Sequence, residues 1–154
     1  MQRAWRVDIL MQNLIWASVM VGLTTVMHLA GITGLIALLR AGRDHAGPRP
    51  PVWRQFAAIL FVVFCLFGLH TVEVWAYGSF YIAVGAFETF EEALYFSTST
   101  FTTVGFGDVY LGPDWRLFSA IESANGFLLI GWSTAFLVAV TARLRILEAE
   151  MEGD

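Results

Sequence analysis

Lysine is absent from this chain, cysteine occurs once, and only 14% of the 154 residues are charged. Each shortage excludes something. With Cys65 alone, no internal disulfide can form, and that thiol in its apolar run reads as a small buried hydrophobe. The nine basic residues, all arginine, are too scattered for a nucleic-acid patch or a polybasic lipid site, so no nucleic-acid partner is expected. A soluble domain of this length would carry nearer a quarter charged residues. The net charge of −4 decides little.

What the chain has instead is apolar surface. Hydrophobic residues make up 57%, in long blocks, with 6 Trp and 13 Phe. Aromatic residues in such number suit a chain with two membrane interfaces to anchor. The sequence therefore reads as an integral membrane protein. Three apolar segments, residues 9–39, 55–87 and 115–147, each exceed the roughly 20 helical residues that a bilayer core of about 30 Å needs. Arg3 and Arg6 precede the first, but it runs too long, without a small-residue cleavage site, to be a cleaved signal peptide.

The linker of residues 41–54 reads as a loop, because Gly42, Gly47, Pro48, Pro50 and Pro51 interrupt any helix. Arg40, Arg43, Arg49 and Arg54 stand there against Asp44, and short arginine-rich loops face the cytoplasm. Arg143 and Arg145 put the end of the third segment on the same side. The C-terminus is thus expected in the cytoplasm and the N-terminus outside, or inside if the first segment only lies on the surface. His45 in the loop is expected to be solvated. The division is residues 1–40 as an N-terminal membrane helix, 41–54 as the loop, 55–147 as one membrane domain and 148–154 as an acidic tail. That tail is expected to be too short to form a ligand-binding domain.

The stretch between segments two and three leaves the outer face and returns to it. Residues 88–102 suit a helix of about four turns, with Glu88, Glu91 and Glu92 expected in a first turn where carboxylates complement the helix dipole. Thr102-Thr103-Val104-Gly105-Phe106-Gly107-Asp108 follows. An ion leaving water needs replacement oxygens, and backbone carbonyls of an extended strand supply them if all turn toward one axis. That requires alternating backbone handedness, which glycine adopts cheaply, hence Gly105 and Gly107. Val104 and Phe106 should then point away and pack on surrounding helices. The Thr103 hydroxyl adds an oxygen at the inner end, and Asp108 stands at the outer mouth.

The run Thr103-Val104-Gly105-Phe106-Gly107-Asp108 resembles the potassium-channel signature, with Phe106 in place of the commoner tyrosine. The resemblance covers residues 55–147 as outer helix (55–87), pore helix (88–102), filter (103–108) and inner helix (115–147). It implies an all-α integral membrane fold of the simple two-helix pore class, preceded by one extra membrane helix. It further implies a non-enzymatic, potassium-selective channel subunit in the inner or plasma membrane. Four chains would surround one axis, since a single strand offers carbonyls on one side only. Potassium ions at Thr103, Val104, Gly105 and Phe106 would be the bound species, with Gly107 completing the filter, and no other cofactor.

On the inner helix the resemblance places Gly126 at a hinge, with Gly131 after it; close helix packing is the competing reading for Gly126. Helical spacing from there puts Phe127, Ile130, Thr134 and Val138 on one face, as candidate cavity lining. Glu122 lies roughly 10 Å into the bilayer, where a carboxylate is costly and is a functional candidate. It is read as scaffold behind the filter, bonded to pore-helix hydroxyls such as Ser99 and Thr100, with direct ion binding as the alternative. In the channels that pair a pore-helix glutamate with the filter aspartate, that glutamate stands where this chain has Ser99.

His28, His70 and Glu73 are the remaining intramembrane polar groups. Glu73 is expected at the outer interface near Trp75. His70 should lie about 24 Å above the inner surface and His28 about 18 Å. The three read as polar glue between segments one and two, or as a candidate pH or metal sensor. No regularly spaced arginine row marks a voltage sensor, so gating falls to the membrane domain, the filter or a separate regulatory partner. Alternative readings are a weakly selective cation channel, a membrane metal-binding protein and a non-conducting accessory subunit.

Overall fold

A computed structural model describes residues 2–44 and 51–152, with side chains described over 8–42 and 51–143. His45 and the rest of residues 45–50 of the linker lie outside the described residues, as do Asp154 and the adjoining end of the expected tail. Among the described residues there are four α-helices: α1 (Gln2–Asp44), α2 (Val52–Ala83), α3 (Phe90–Phe101) and α4 (Arg116–Glu152), the last preceded by a 3-10 turn, Pro113–Trp115. No segments among the described residues pair into a β-sheet, and the strand of residues 103–108 is a short, unpaired extended run. Asp8–Gly42, Val52–Ala83 and Pro113–Arg143 are long and apolar enough to cross a membrane. The chain is an all-α, multi-pass membrane protein: three spanning helices and one short helix between the second and third.

Element ends differ from the sequence expectation for local reasons. α1 runs through Gly42 to Asp44, because one glycine costs a helix only about 1 kcal/mol. Pro51 is the N-cap of α2, a helix start where the missing N–H of proline costs nothing, so Arg54 is helical. α2 ends at Ala83, four residues short of expectation. Gly85 takes φ +69° and the Ala86 N–H donates to the Tyr81 carbonyl at 2.9 Å, a left-handed glycine closure. Thr89 caps α3, its hydroxyl accepting from the Glu92 N–H at 3.2 Å. Glu88 therefore precedes the cap, and only Glu91 and Glu92 occupy the first turn. α4 continues as helix to Glu152, through most of the expected tail.

Two apolar clusters hold the helices together. The larger joins Ala17 and Met20 of α1, Tyr77 and Tyr81 of α2, Phe96 and Phe101 of α3, and Phe118 and Leu129 of α4. Phe80 stacks on Phe118 with ring centroids 4.4 Å apart. The smaller joins Ile32, Leu35, Val62 and Leu66, with Phe136, Leu137 and Val140 packed against it. α1 packs against α2 and α4, and α3 is held between α2 and α4. Cys65 is half-buried beside the smaller cluster.

Candidate functional site

The strand after α3 has the alternation that a row of inward carbonyls needs. Thr103, Gly105 and Gly107 take φ of +62°, +55° and +75°, and no residue between them does. The two glycines adopt this region without a Cβ penalty. Thr103 does not: a β-branched residue there is strained by about 1–3 kcal/mol. The sequence reading did not assign Thr103 this conformation. Two backbone bonds tie the strand to the end of α3, from the Thr103 N–H to the Thr100 carbonyl and from the Gly105 N–H to the Ser99 carbonyl, both 3.0 Å.

Val104 and Phe106 do not pack under this chain's own helices as expected. They are 56% and 68% exposed, because one chain supplies helices on only one side of the strand. Phe106 touches its own chain by stacking on Tyr95, centroids 6.1 Å apart. Tyr95 also donates its hydroxyl to Asp108 Oδ2 at 2.7 Å. That bond first of all holds the exposed Tyr95 phenol above its ordinary value of 10.0, since the neutral phenol is the form that donates. Sequence reasoning missed Tyr95; its signal is a hydroxyl on the outward turn of α3, facing the one acid of the strand.

Behind the strand, Glu122 is fully buried. It accepts from Ser97 Oγ at 2.6 Å and from the Tyr81 hydroxyl at 2.5 Å. The α3 hydroxyl that reaches it is therefore Ser97, not Ser99 or Thr100. Ser99 Oγ turns back to the Phe96 carbonyl at 3.1 Å, and Thr100 contributes its backbone carbonyl to the strand. Ser97 points into the α2–α4 seam one helical half-turn away, so the register of α3 decides the partner. Glu122 thus joins α2, α3 and α4 at one point.

Gly126 is a contact rather than a visible bend. α4 runs unbroken through it, and a Cβ there would collide with the carbonyl of Phe101. α4 passes directly against the end of α3, which needs a glycine. At Gly131 a Cβ would meet nothing, so neither packing nor a bend distinguishes that position. Phe127, Thr134 and Val138 are exposed on the single chain, whereas Ile130 is half-buried against the larger cluster and departs from the expected lining face.

α1 is joined to the rest by three polar layers. At its N-terminal end Asn13 donates to the Asp114 carbonyl at 2.6 Å and accepts from the Phe118 N–H at 3.0 Å. It thereby caps α4, whose first N–H groups lack helical partners. Midway, Asn125 donates to Thr24 Oγ1 at 2.8 Å and to the Tyr77 hydroxyl at 3.1 Å. Further along, His28 Nδ1 lies 2.9 Å from Glu73 Oε1 and His70 Nδ1 lies 2.8 Å from Glu73 Oε2. Glu73 is fully buried within the chain. His28 and His70 come level, centroids 5.4 Å apart, because α1 continues past Leu39 to Asp44 and lifts His28 by about 6 Å relative to the expected helix end. None of Asn13, Thr24, Asn125 or Tyr77 was singled out from sequence, since isolated amides and hydroxyls in apolar runs carry no spacing signal.

Three helices long and apolar enough to span a membrane pack with one short helix and the extended segment that follows it. Residues 69–143 match the sequence model of a protein family described as "Ion channel". The chain accordingly carries an ion-channel domain over those residues, with α1 outside it. Comparison with curated proteins and with solved structures gives no match.

Proposed function

We propose that the chain is one subunit of a homotetrameric, potassium-selective channel, with residues 103–107 as its filter. The observation that carries this reading is the alternation of positive φ at Thr103, Gly105 and Gly107. It lets consecutive carbonyls face one axis and replace an ion's hydration shell. The exposure of Val104 and Phe106 supports a neighbour chain on the uncovered side of the strand. α3 ends at the strand's inner end, and the C-terminal dipoles of four such helices favour a cation below it.

Glu122, with Ser97 and Tyr81, serves in this reading as a brace that fixes α3 against α2 and α4. Asp108, held by Tyr95, forms an acidic ring at the outer mouth. Phe127, Thr134 and Val138 line the cavity beneath the filter. The N-terminus lies outside and the C-terminus in the cytoplasm of a plasma or inner membrane, from the arginine balance of the loops.

Reversal potentials of the purified protein in liposomes, under mixed potassium and sodium gradients, test the reading. Strong preference for potassium is expected, and equal permeability rejects it. Gly105→Ala, which forces a Cβ into φ +55°, is expected to abolish the current. Native mass analysis in mild detergent should find tetramers; monomers and dimers alone would refute the assembly.

A further inference from the structure

We propose that His28, His70 and Glu73 form a binding site for a divalent transition-metal ion of the zinc class, clamping α1 to α2. The site stands apart from the filter, and the proposal does not rest on potassium selectivity.

The geometry is that of a small nitrogen–oxygen site. The three residues present ligand atoms that all lie within 4.8 Å of one another. Zinc binds imidazole nitrogen and carboxylate oxygen at about 2.0–2.2 Å, so ligand atoms around a tetrahedral ion sit roughly 3.3–3.5 Å apart. His28 Nδ1 lies 2.9 Å from Glu73 Oε1 and His70 Nδ1 2.8 Å from Glu73 Oε2, so an ion between the two rings meets the carboxylate after each contact opens by about half an ångström and the carboxylate turns one oxygen toward it. Three protein ligands leave a fourth position for water, the open arrangement such ions commonly take.

The tautomers allow it. Ser133 Oγ lies 3.5 Å from His28 Nε2, where an outer partner accepting an Nε2 proton leaves the Nδ1 lone pair for a metal. His70 Nε2 has no hydrogen-bond partner, so nothing in the fold fixes that ring's tautomer against presenting Nδ1. The charge asks for it too. Glu73 is fully buried, and among the described residues its ion-pair partners are these two imidazoles alone. A buried carboxylate is costly without a compensating cation. A divalent ion supplies that charge, and its entry displaces whatever proton the carboxylate and imidazoles share.

The position gives the site a route to the pore. The His70 ring lies 5.9 Å from that of Phe101, and the His28 ring 5.4 Å from that of Trp132 on α4. Phe101 is the last residue of α3 and lies against Gly126, directly before the strand. An ion here fixes α1, α2 and the base of α3 together.

The test is titration of the full-length protein in lipid nanodiscs with zinc by calorimetry, and with cobalt by visible absorption. One ion per chain is expected, with the intense visible bands of four-coordinate cobalt. His28→Gln/His70→Gln and Glu73→Gln should each weaken binding at least tenfold, while His45→Gln leaves it unchanged. The cobalt spectrum of the unaltered protein keeps the test decisive should a variant fail to assemble. Absence of those bands, or undiminished binding in the double variant, overturns the proposal and leaves the three residues as a hydrogen-bonded seam.

Discussion

Replacing Gly126 by alanine isolates one close approach. An ideal Cβ there falls 2.8 Å from the carbonyl carbon of Phe101 and 2.8 Å from its ring, and closer still to its oxygen. Two of these obstacles are backbone, so no rotamer change relieves them. Gly131→Ala is the matched control, because its Cβ meets nothing. Both changes gain the same helix propensity, about 1 kcal/mol at most. The difference between them therefore reports the collision alone, and overpacking of this kind costs about 1–3 kcal/mol. That corresponds to a factor of roughly 5 to 150 in the unfolding equilibrium per chain. The displaced atoms belong to the end of α3, where the Ser99 and Thr100 carbonyls hold the strand, so ion flux should fall further than stability does. Thermal unfolding in detergent, paired with flux in liposomes, measures both quantities. If the two variants melt at the same temperature and conduct alike, the close-approach argument is wrong.

Three further outcomes are expected. Glu122→Gln should retain the assembled protein, because Ser97 can turn its proton to the Val74 carbonyl 3.2 Å away and accept from the new amide. Glu122→Ala, which leaves the Ser97 and Tyr81 hydroxyls without that partner, should cost about 1–3 kcal/mol for each left unsatisfied. If thermal stability is unaffected by either change while unit conductance falls steeply, Glu122 belongs to the ion path instead. Asn13→Ala strips a cap from α4 and should cost about 1 kcal/mol, seen as faster amide exchange at Phe118; unchanged exchange would count against the capping role. Carbon-13 NMR of the Tyr95 phenol should show it ionising above 10, since Asp108 stabilises the neutral donor. Below that pH the bond is intact, and it is lost as pH rises through the elevated value. Asp108→Asn should move the titration down, and an unmoved titration would refute the pairing.

The strand and its flanking helices were legible because their signals are periodic or conformational: long apolar runs, and glycines at alternate positions where positive φ is required. Gly85 was equally informative as a helix stop, yet the apolar residues around it masked the signal and α2 was read too long. Partner choice in the interior was less legible. Glu122 was visible as a buried acid, but whether Ser97, Ser99 or Thr100 meets it depends on the rotation of α3 by a fraction of a turn. Gly126 illustrates the same limit, since a glycine needed for contact and one needed for bending look alike in a sequence. Tyr95 and Asn13 act on groups 13 and roughly 100 residues away, a distance over which no local pattern operates.

The polar layers along α1 also bear on how the chain is made. α1 reaches the bilayer first, carrying the His28 imidazole and the Asn13 and Thr24 groups. The two shorter side chains can bridge the interval on their own helix, through the Ile9 and Met20 carbonyls at 2.9 Å each. His28 has no such local acceptor and finds its partner only when α2 brings Glu73. Asn125 and the start of α4 arrive last and take up the groups that Thr24 and Asn13 have kept. The His28–Glu73 contact favours early association of the first two helices, since polar groups between membrane helices hold them together. An unrelated greasy anchor in its place would insert as readily but would leave the later helices with nothing to register against.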